Sequence, residues 1–227
     1  MTVALESTGV AVPAVLQSAL QTLLPTATLR RYCLNHCGAI QLWLIDDIGA
    51  DQPLTEQQTD AVWETPPYWA FCWGSGQSVA QWIAENSEKI AGKTIVDFGS
   101  GSGIVAIAAA KAGAARVYAL DIDPVSLQAI AANAALNGVE LEVVDQLPGG
   151  TKGDWLFAAD ILYDPENLPL LDQFDAMAAQ IVIADSRVKK TEFEGYQMVS
   201  TMRSVTMPDL GENEDVKQVR LFYRGDD

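Results

Sequence analysis

Basic residues are scarce in this 227-residue chain: 14 Lys plus Arg stand against 30 Asp plus Glu, a formal net charge of -16 with the one histidine neutral. A phosphate backbone is held chiefly by Lys and Arg with counterion release, so nucleic acid is an unexpected partner. A basic or lysine-bearing protein surface, or a small amine, is drawn towards such a field instead. Cysteine is scarce too: three residues cannot build a disulfide scaffold, and a reducing cytoplasm is the expected compartment. No apolar run approaches the roughly 20 residues needed to cross a bilayer, so no membrane role is expected. Neither a secretory signal nor a mitochondrial transit peptide is expected, because no basic segment precedes a compact apolar core and no Arg precedes Arg30. Repeats and low-complexity tracts are absent.

What remains is an ordinary globular composition, 49% apolar and 19% charged, of a length that suits one domain with a small N-terminal addition. Val15, Leu16, Leu20, Leu23 and Leu24 fall near helical spacing, predicting a helix over Pro13–Leu24. Thr28–Leu34 and Ala39–Ile45 read as a hairpin around His36-Cys37-Gly38. Asp46–Thr65 is acidic, Gln-rich and without period, so a loop is expected there. From Gln77 the rhythm changes. Val79, Trp82 and Ile83 mark a short helix, Thr94–Phe98 a strand, Ile104–Lys111 a helix and Arg116–Leu120 a strand. Asp123-Pro124 supplies an N-cap with Pro at the first helical position, and Gly138 ends that helix. Strand signals recur over Glu140–Val144, Trp155–Ala159, Ile181–Ala184, Tyr196–Val205 and Val216–Tyr223, with a helix expected over Leu168–Ala179. This alternation predicts an α/β fold with a parallel sheet covered on both faces. The last two strands are joined by Pro208–Glu214, too short for a crossover helix, so they pair antiparallel as a C-terminal hairpin.

The run Asp97-Phe98-Gly99-Ser100-Gly101-Ser102-Gly103 sits between a strand and a helix, where glycines let the backbone approach a ligand and present N–H groups. It reads G-x-G-x-G. It is neither the dinucleotide G-x-G-x-x-G nor a P-loop. A carboxylate beside a pyrophosphate is repelled, whereas Asp97 suits an ammonium or a sulfonium. Asp121 lies 22 residues after Gly99, at the end of the next strand, where an acid accepts ribose hydroxyls. Both acids together point to a nucleoside carrying positive charge, S-adenosylmethionine (SAM).

D-x-G-x-G-x-G followed by Ala119-Leu120-Asp121-Ile122-Asp123-Pro124 resembles the core of the seven-strand (class I) SAM-dependent methyltransferases, over roughly Pro67 to Tyr223. Asp121–Pro124 and Asn133–Gly138 are also similar to ribosomal-protein lysine methyltransferases. Pro67-Tyr68-Trp69-Ala70-Phe71-Cys72-Trp73-Gly74-Ser75-Gly76-Gln77 resembles the P-F-W-A-x-x-W-P-G-G-Q segment of electron-transfer-flavoprotein β-subunit lysine methyltransferases, with Gly74-Ser75 in place of Pro-Gly. Asp160-Ile161-Leu162-Tyr163 is similar to that group's D-x-x-Y/F motif. The resemblance implies a doubly wound, mostly parallel, Rossmann-like seven-stranded sheet over 67–227, with a small α+β cap over 1–66. It implies SAM contacts from Asp97, Gly99, Ser100, Gly101, Asp121 and Ile122, with Asp145 near the adenine and Trp73 and Gly76 over the methionine end. Asp160, at the edge of the SAM site, and Tyr163 would face the acceptor nitrogen.

The expected activity is N-methylation, of a protein lysine or alternatively of a small-molecule amine; a non-catalytic SAM-binding subunit is a third reading. Asp160 captures and orients the amine, or serves as its base, and Trp69, Phe71 and Trp73 offer cation–π contacts. Thr65-Pro66-Pro67-Tyr68-Trp69 superficially matches a D/N-P-P-Y/F motif, but no apolar strand precedes it. Cys33, His36 and Cys37 lack a fourth ligand, so no metal is expected. Cys72 reads as a packing residue. Arg187, Lys189, Lys190 and the acidic stretches Gly211–Asp215 and Gly225–Asp227 read as solvated surface.

Overall fold

A computed structural model describes residues 2–4, 10–47, 54–162, 164–188 and 192–225. In chain order the elements are β1 (Thr2–Ala4), α1 (Ala14–Leu23), β2 (Thr28–Leu34), β3 (Ile40–Asp47), α2 (Glu56–Glu64), α3 (Gly74–Glu85), α4 (Ser87–Ile90), β4 (Thr94–Phe98), α5 (Ile104–Lys111) and β5 (Arg116–Leu120). They continue with α6 (Pro124–Asn137), β6 (Glu142–Val144), β7 (Gly153–Ala159), α7 (Phe174–Met177), β8 (Ala178–Asp185), β9 (Glu192–Phe193), β10 (Tyr196–Arg203) and β11 (Gln218–Arg224).

The main sheet runs β6-β5-β4-β7-β8-β11-β10-β9. The first five strands are parallel, and β11 and β10 follow antiparallel. The expected seven strands and C-terminal hairpin are present; the two-residue β9 extends the edge. Alternate residues of the central strands enter opposite cores, as the period of two requires. Ile95 and Phe157 face Val79, Ile83, Val105 and Ile107 of α3 and α5. Val96, Leu156 and Ala158 face Phe174 and Leu162. The chain winds one way from β4 to β5 and the other way from β7 to β8. Their C-terminal ends therefore open a crevice between β4 and β7, which is where open α/β sheets bind ligands.

The N-terminal strands form a separate sheet, β1-β2-β3, whose Leu34, Ile40, Leu42 and Leu44 join the α3/α5 core. The outer edge of β3 presents backbone groups with no strand partner, and α6 supplies them. Asn133 Oδ1 accepts from Trp43 N at 2.8 Å, and Asn137 both accepts from Gln41 N at 2.9 Å and donates to Gln41 O at 2.6 Å. Asn133 Nδ2 also donates to Ser102 O in the glycine loop at 2.8 Å. An Asn133→Ala variant leaves two buried backbone groups without partners, and a loss of about 2–4 kcal/mol is expected in urea unfolding. A loss under about 1 kcal/mol would mean that water replaces the amide.

Two expectations are corrected. Asp46–Thr65 is not all loop. Asp46 and Asp47 end β3, residues 48–53 lie outside the described residues, and 56–64 form α2. That helix starts on a capping box: Gln58 N donates to Thr55 Oγ1 at 3.3 Å and Thr55 N donates to Gln58 Oε1 at 2.8 Å. The helix expected over Leu168–Ala179 is instead a 3-10 segment, Pro165–Asp172, followed by the one-turn α7, and Ala178-Ala179 already belong to β8. Pro169 has no N–H to give a regular helix. Among the described residues no helix is long and apolar enough to cross a membrane.

Candidate active site

The crevice holds two clusters. The first is the glycine loop after β4. Gly99 and Gly101 have φ of +68° and +54°, a region closed to most L residues, and a Cβ built on Gly101 meets nothing within 4 Å. The loop thus opens onto free space. Asp97 lies behind it, 2% exposed, with Oδ2 accepting from Ser100 Oγ at 2.6 Å and from Ala106 N at 3.0 Å. Ser100 N in turn donates to Leu120 O at 2.8 Å. Asp121 braces the same loop from β5: Oδ2 accepts from Gly101 N at 2.8 Å and Oδ1 from Asp123 N at 3.0 Å. Ile122, beside it, is 92% exposed, and Asp145 is exposed in the turn after β6.

Burial pushes the Asp97 carboxyl up to about 7, against the pull of its Ser100 and Ala106 donors, and burial also raises Asp121. In the unfolded chain an Asp titrates near pH ~3.9. The stabilisation from holding Asp97 neutral is therefore complete below pH ~4 and is lost as pH rises through about 7. Asp97→Asn, which never ionises, is expected to gain stability relative to wild type between pH ~5 and ~7, at roughly 1.4 kcal/mol per unit, and to gain little more above that. Urea unfolding at both pH values checks this; an unchanging difference would refute it.

The second cluster surrounds Asp160, whose backbone is left-handed at φ +52° with its N–H on Ala184 O at 2.9 Å. Asp160 Oδ1 accepts from Ser75 Oγ at 2.6 Å and Oδ2 from Ser75 N at 3.2 Å, in the first turn of α3; Ser186 Oγ reaches Oδ1 at 3.4 Å. Burial pushes this carboxyl up to about 6; Ser75 pulls it down and the Asp185 carboxylate pushes it up. Asp185 is fully buried and ties the two loops together, accepting from Leu162 N at 3.1 Å, Arg187 N at 2.7 Å and Val188 N at 3.0 Å. The clusters abut. A Cβ on Gly99 would come within 3.2 Å of Ile161, and one on Gly76 within 3.0 Å of Ile104. Gly76 is thus a close approach of α3 to α5.

Trp73 flanks the second cluster. Its ring lies 5.5 Å from Phe71 and 5.7 Å from the half-exposed Tyr68, and its Nε1 donates to Tyr68 O at 3.0 Å. Trp69 does not join them: it is buried with Leu16, Leu20 and Ile45, because its place in a 3-10 turn faces α1. Tyr163, Lys189 and Lys190 lie outside the described residues. Arg187 is exposed, with its guanidinium 5.9 Å from the Trp73 ring and 3.6 Å from Glu212. Glu212 is correspondingly shielded, at odds with a fully solvated acidic stretch. His36 is a turn residue bonded to Gln77 Oε1 at 3.0 Å, and Gln77 Nε2 ties Cys72 O to Val205 O. Cys72 is buried, and among the described residues no group of His, Cys, Asp or Glu is arranged for a metal. Ser75, Ser186 and Asp185 were not singled out from sequence.

Residues 71–188, which carry both clusters, match the family described as ribosomal protein L11 methyltransferase (PrmA). The chain belongs to that family. The chain is 32% identical over 143 residues to the electron transfer flavoprotein beta subunit lysine methyltransferase of Rattus norvegicus, 58% of this chain and 54% of that protein. It is 44% identical over 113 residues to the ribosomal protein L11 methyltransferase of Serratia proteamaculans, 46% of this chain and 38% of that protein. The chain spans about half the length of such relatives. Magnesium protoporphyrin IX methyltransferase of Synechocystis PCC 6803, solved with bound SAH, shares the fold at 16% identity and a TM-score of 0.50, over 76% of this chain and 88% of that one.

Proposed function

We propose that this chain is a SAM-dependent N-methyltransferase whose acceptor is a lysine side chain of a protein. The observation that carries this reading is the desolvated Asp160 carboxylate, fixed at the start of α3 and abutting an open glycine loop. The lysine-methylating relative supports the acceptor class, and the charge of -16 suits a basic partner.

The residues present fit SAM. Gly101 faces open space, Asp121 is half-buried at the strand end, and Ile122 offers an uncovered apolar wall. In this reading Asp121 accepts the ribose hydroxyls and Ile122 and Asp145 border the adenine. Gly99, Ser100 and Gly101 form the cradle that Asp97 holds in shape, and Trp73 and Gly76 border the methionine end. SAM supplies an electrophilic methyl carbon on a sulfonium. The protein aligns the amine and presents it unprotonated. A free lysine costs about 4–5 kcal/mol to deprotonate at pH 7, and burial beside aromatic rings lowers that cost. Asp160 attracts and orients the ammonium, and Trp73 and Phe71 offer ring faces to the same cation. Residues 67–227 form the catalytic unit with 1–66 as its cap. Free thiols at Cys33, Cys37 and Cys72 suit a reducing cytoplasm as its compartment.

The test is radiolabelled SAM with the purified chain in a lysate stripped of background methylation. A discrete labelled protein, with methyllysine on hydrolysis, is expected. Label confined to small molecules would transfer the reading to an amine substrate; no label in any fraction would leave a SAM-binding subunit without turnover.

A further inference from the structure

We propose that Ser75 is the positioning residue of the acceptor site: its hydroxyl and its backbone N–H grip the two oxygens of Asp160 and leave one direction open for an amine. This rests on the reading of Asp160 as the acceptor carboxylate.

The argument starts from α3. The first N–H groups of a helix have no partner inside it, and Trp73 at the N-cap provides no side-chain bond. Asp160 arrives from the loop after β7 and takes that place, accepting from Ser75 N on Oδ2 and from Ser75 Oγ on Oδ1. One bond would leave the carboxylate free to turn about its C–C axis. Two bonds from one residue to different oxygens fix its plane, and the 2.6 Å contact has the length of a charge-assisted O–H···O⁻ bond. Main-chain anchorage at Ala184 O removes the remaining freedom. A carboxylate offers about four acceptor sites, two on each oxygen. Ser75 occupies one on each oxygen, and Ser186 faces the second on Oδ1 at 3.4 Å. Among the described residues, the unclaimed site is on Oδ2.

The same grip governs the protonation state. Burial and the Asp185 carboxylate favour the neutral acid, while Ser75 and the Arg187 guanidinium favour the ion; the buried Cys72 thiol completes the surroundings. Without the Ser75 hydroxyl, Asp160 keeps its proton to higher pH and presents a donor where the amine needs an acceptor.

The experiment follows the carboxyl carbons of the full chain, labelled with carbon-13 in aspartate, by NMR across pH, with Asp160 identified from its loss in Asp160→Asn. In wild type Asp160 is expected to titrate at about 6. Ser75→Ala and Ser75→Gly, both of which keep the N–H, are expected to raise its midpoint by about one pH unit, tenfold in its dissociation constant. Ser186→Ala is expected to move it less. An unmoved midpoint in both Ser75 variants, or a larger shift in Ser186→Ala, overturns the proposal. This readout needs neither SAM nor acceptor, so failure of the Ser75 grip on Asp160 is distinguishable from a failure to methylate protein lysine.

Discussion

Asp160→Asn is expected to cut methyl transfer on the order of a hundredfold, about 2.7 kcal/mol in the barrier, with SAM affinity near the wild-type value. Asparagine keeps the size of the side chain, and its single carbonyl oxygen still accepts from Ser75. It loses the charge that draws an ammonium, and it places an NH2 where an acceptor oxygen stood. The glycine loop is built from other residues, and its bonds to Asp97 and Asp121 do not pass through Asp160. Calorimetry with SAM and single-turnover transfer of labelled methyl separate the two effects. Transfer at the wild-type rate would remove Asp160 from the acceptor site; loss of SAM binding together with transfer would make it structural.

Asp121→Ala should weaken SAM binding by well over about tenfold, more than about 1.4 kcal/mol. Two losses combine. The ribose hydroxyls lose their acceptor, and the glycine loop loses its brace at Gly101 N, with Asp123 N released at the same time. Asp121→Asn tells them apart, because its one carbonyl oxygen can keep the Gly101 bond but cannot serve both partners. Asn binding close to wild type with Ala binding weak would place the effect in the brace. Unchanged binding by Ala in calorimetry would overturn the ribose assignment.

Much of the frame was legible in the sequence because its signals are local. Asp123-Pro124 caps α6, with Asp123 accepting from Val125 N and Ser126 N, and Gly138 closes it at φ +65°. The glycine run stands where a strand gives way to a helix, and Asp121 ends the neighbouring strand. Thr55-x-x-Gln58 was equally local, yet the polar composition around it hid a helix whose face is not strongly apolar; the capping bonds show it. Pro169 was visible too, but its effect depends on whether neighbouring turns can absorb a missing N–H, and here they tighten to 3-10.

By itself the sequence determined the α/β alternation, the strand that carries the glycine loop, and the acids at the strand ends, since hydrophobic period, caps and turns act over a few residues. Only the tertiary structure decided who faces Asp160. Ser75 lies 85 residues away and Ser186 lies 26 away, and no local pattern links them. Their meeting depends on α3 packing across the C-terminal ends of β7 and β8. It also decided that Asn133 and Asn137 would serve the open edge of β3, 90 and 96 residues distant, since an unpaired strand edge becomes visible only once the sheets are assembled.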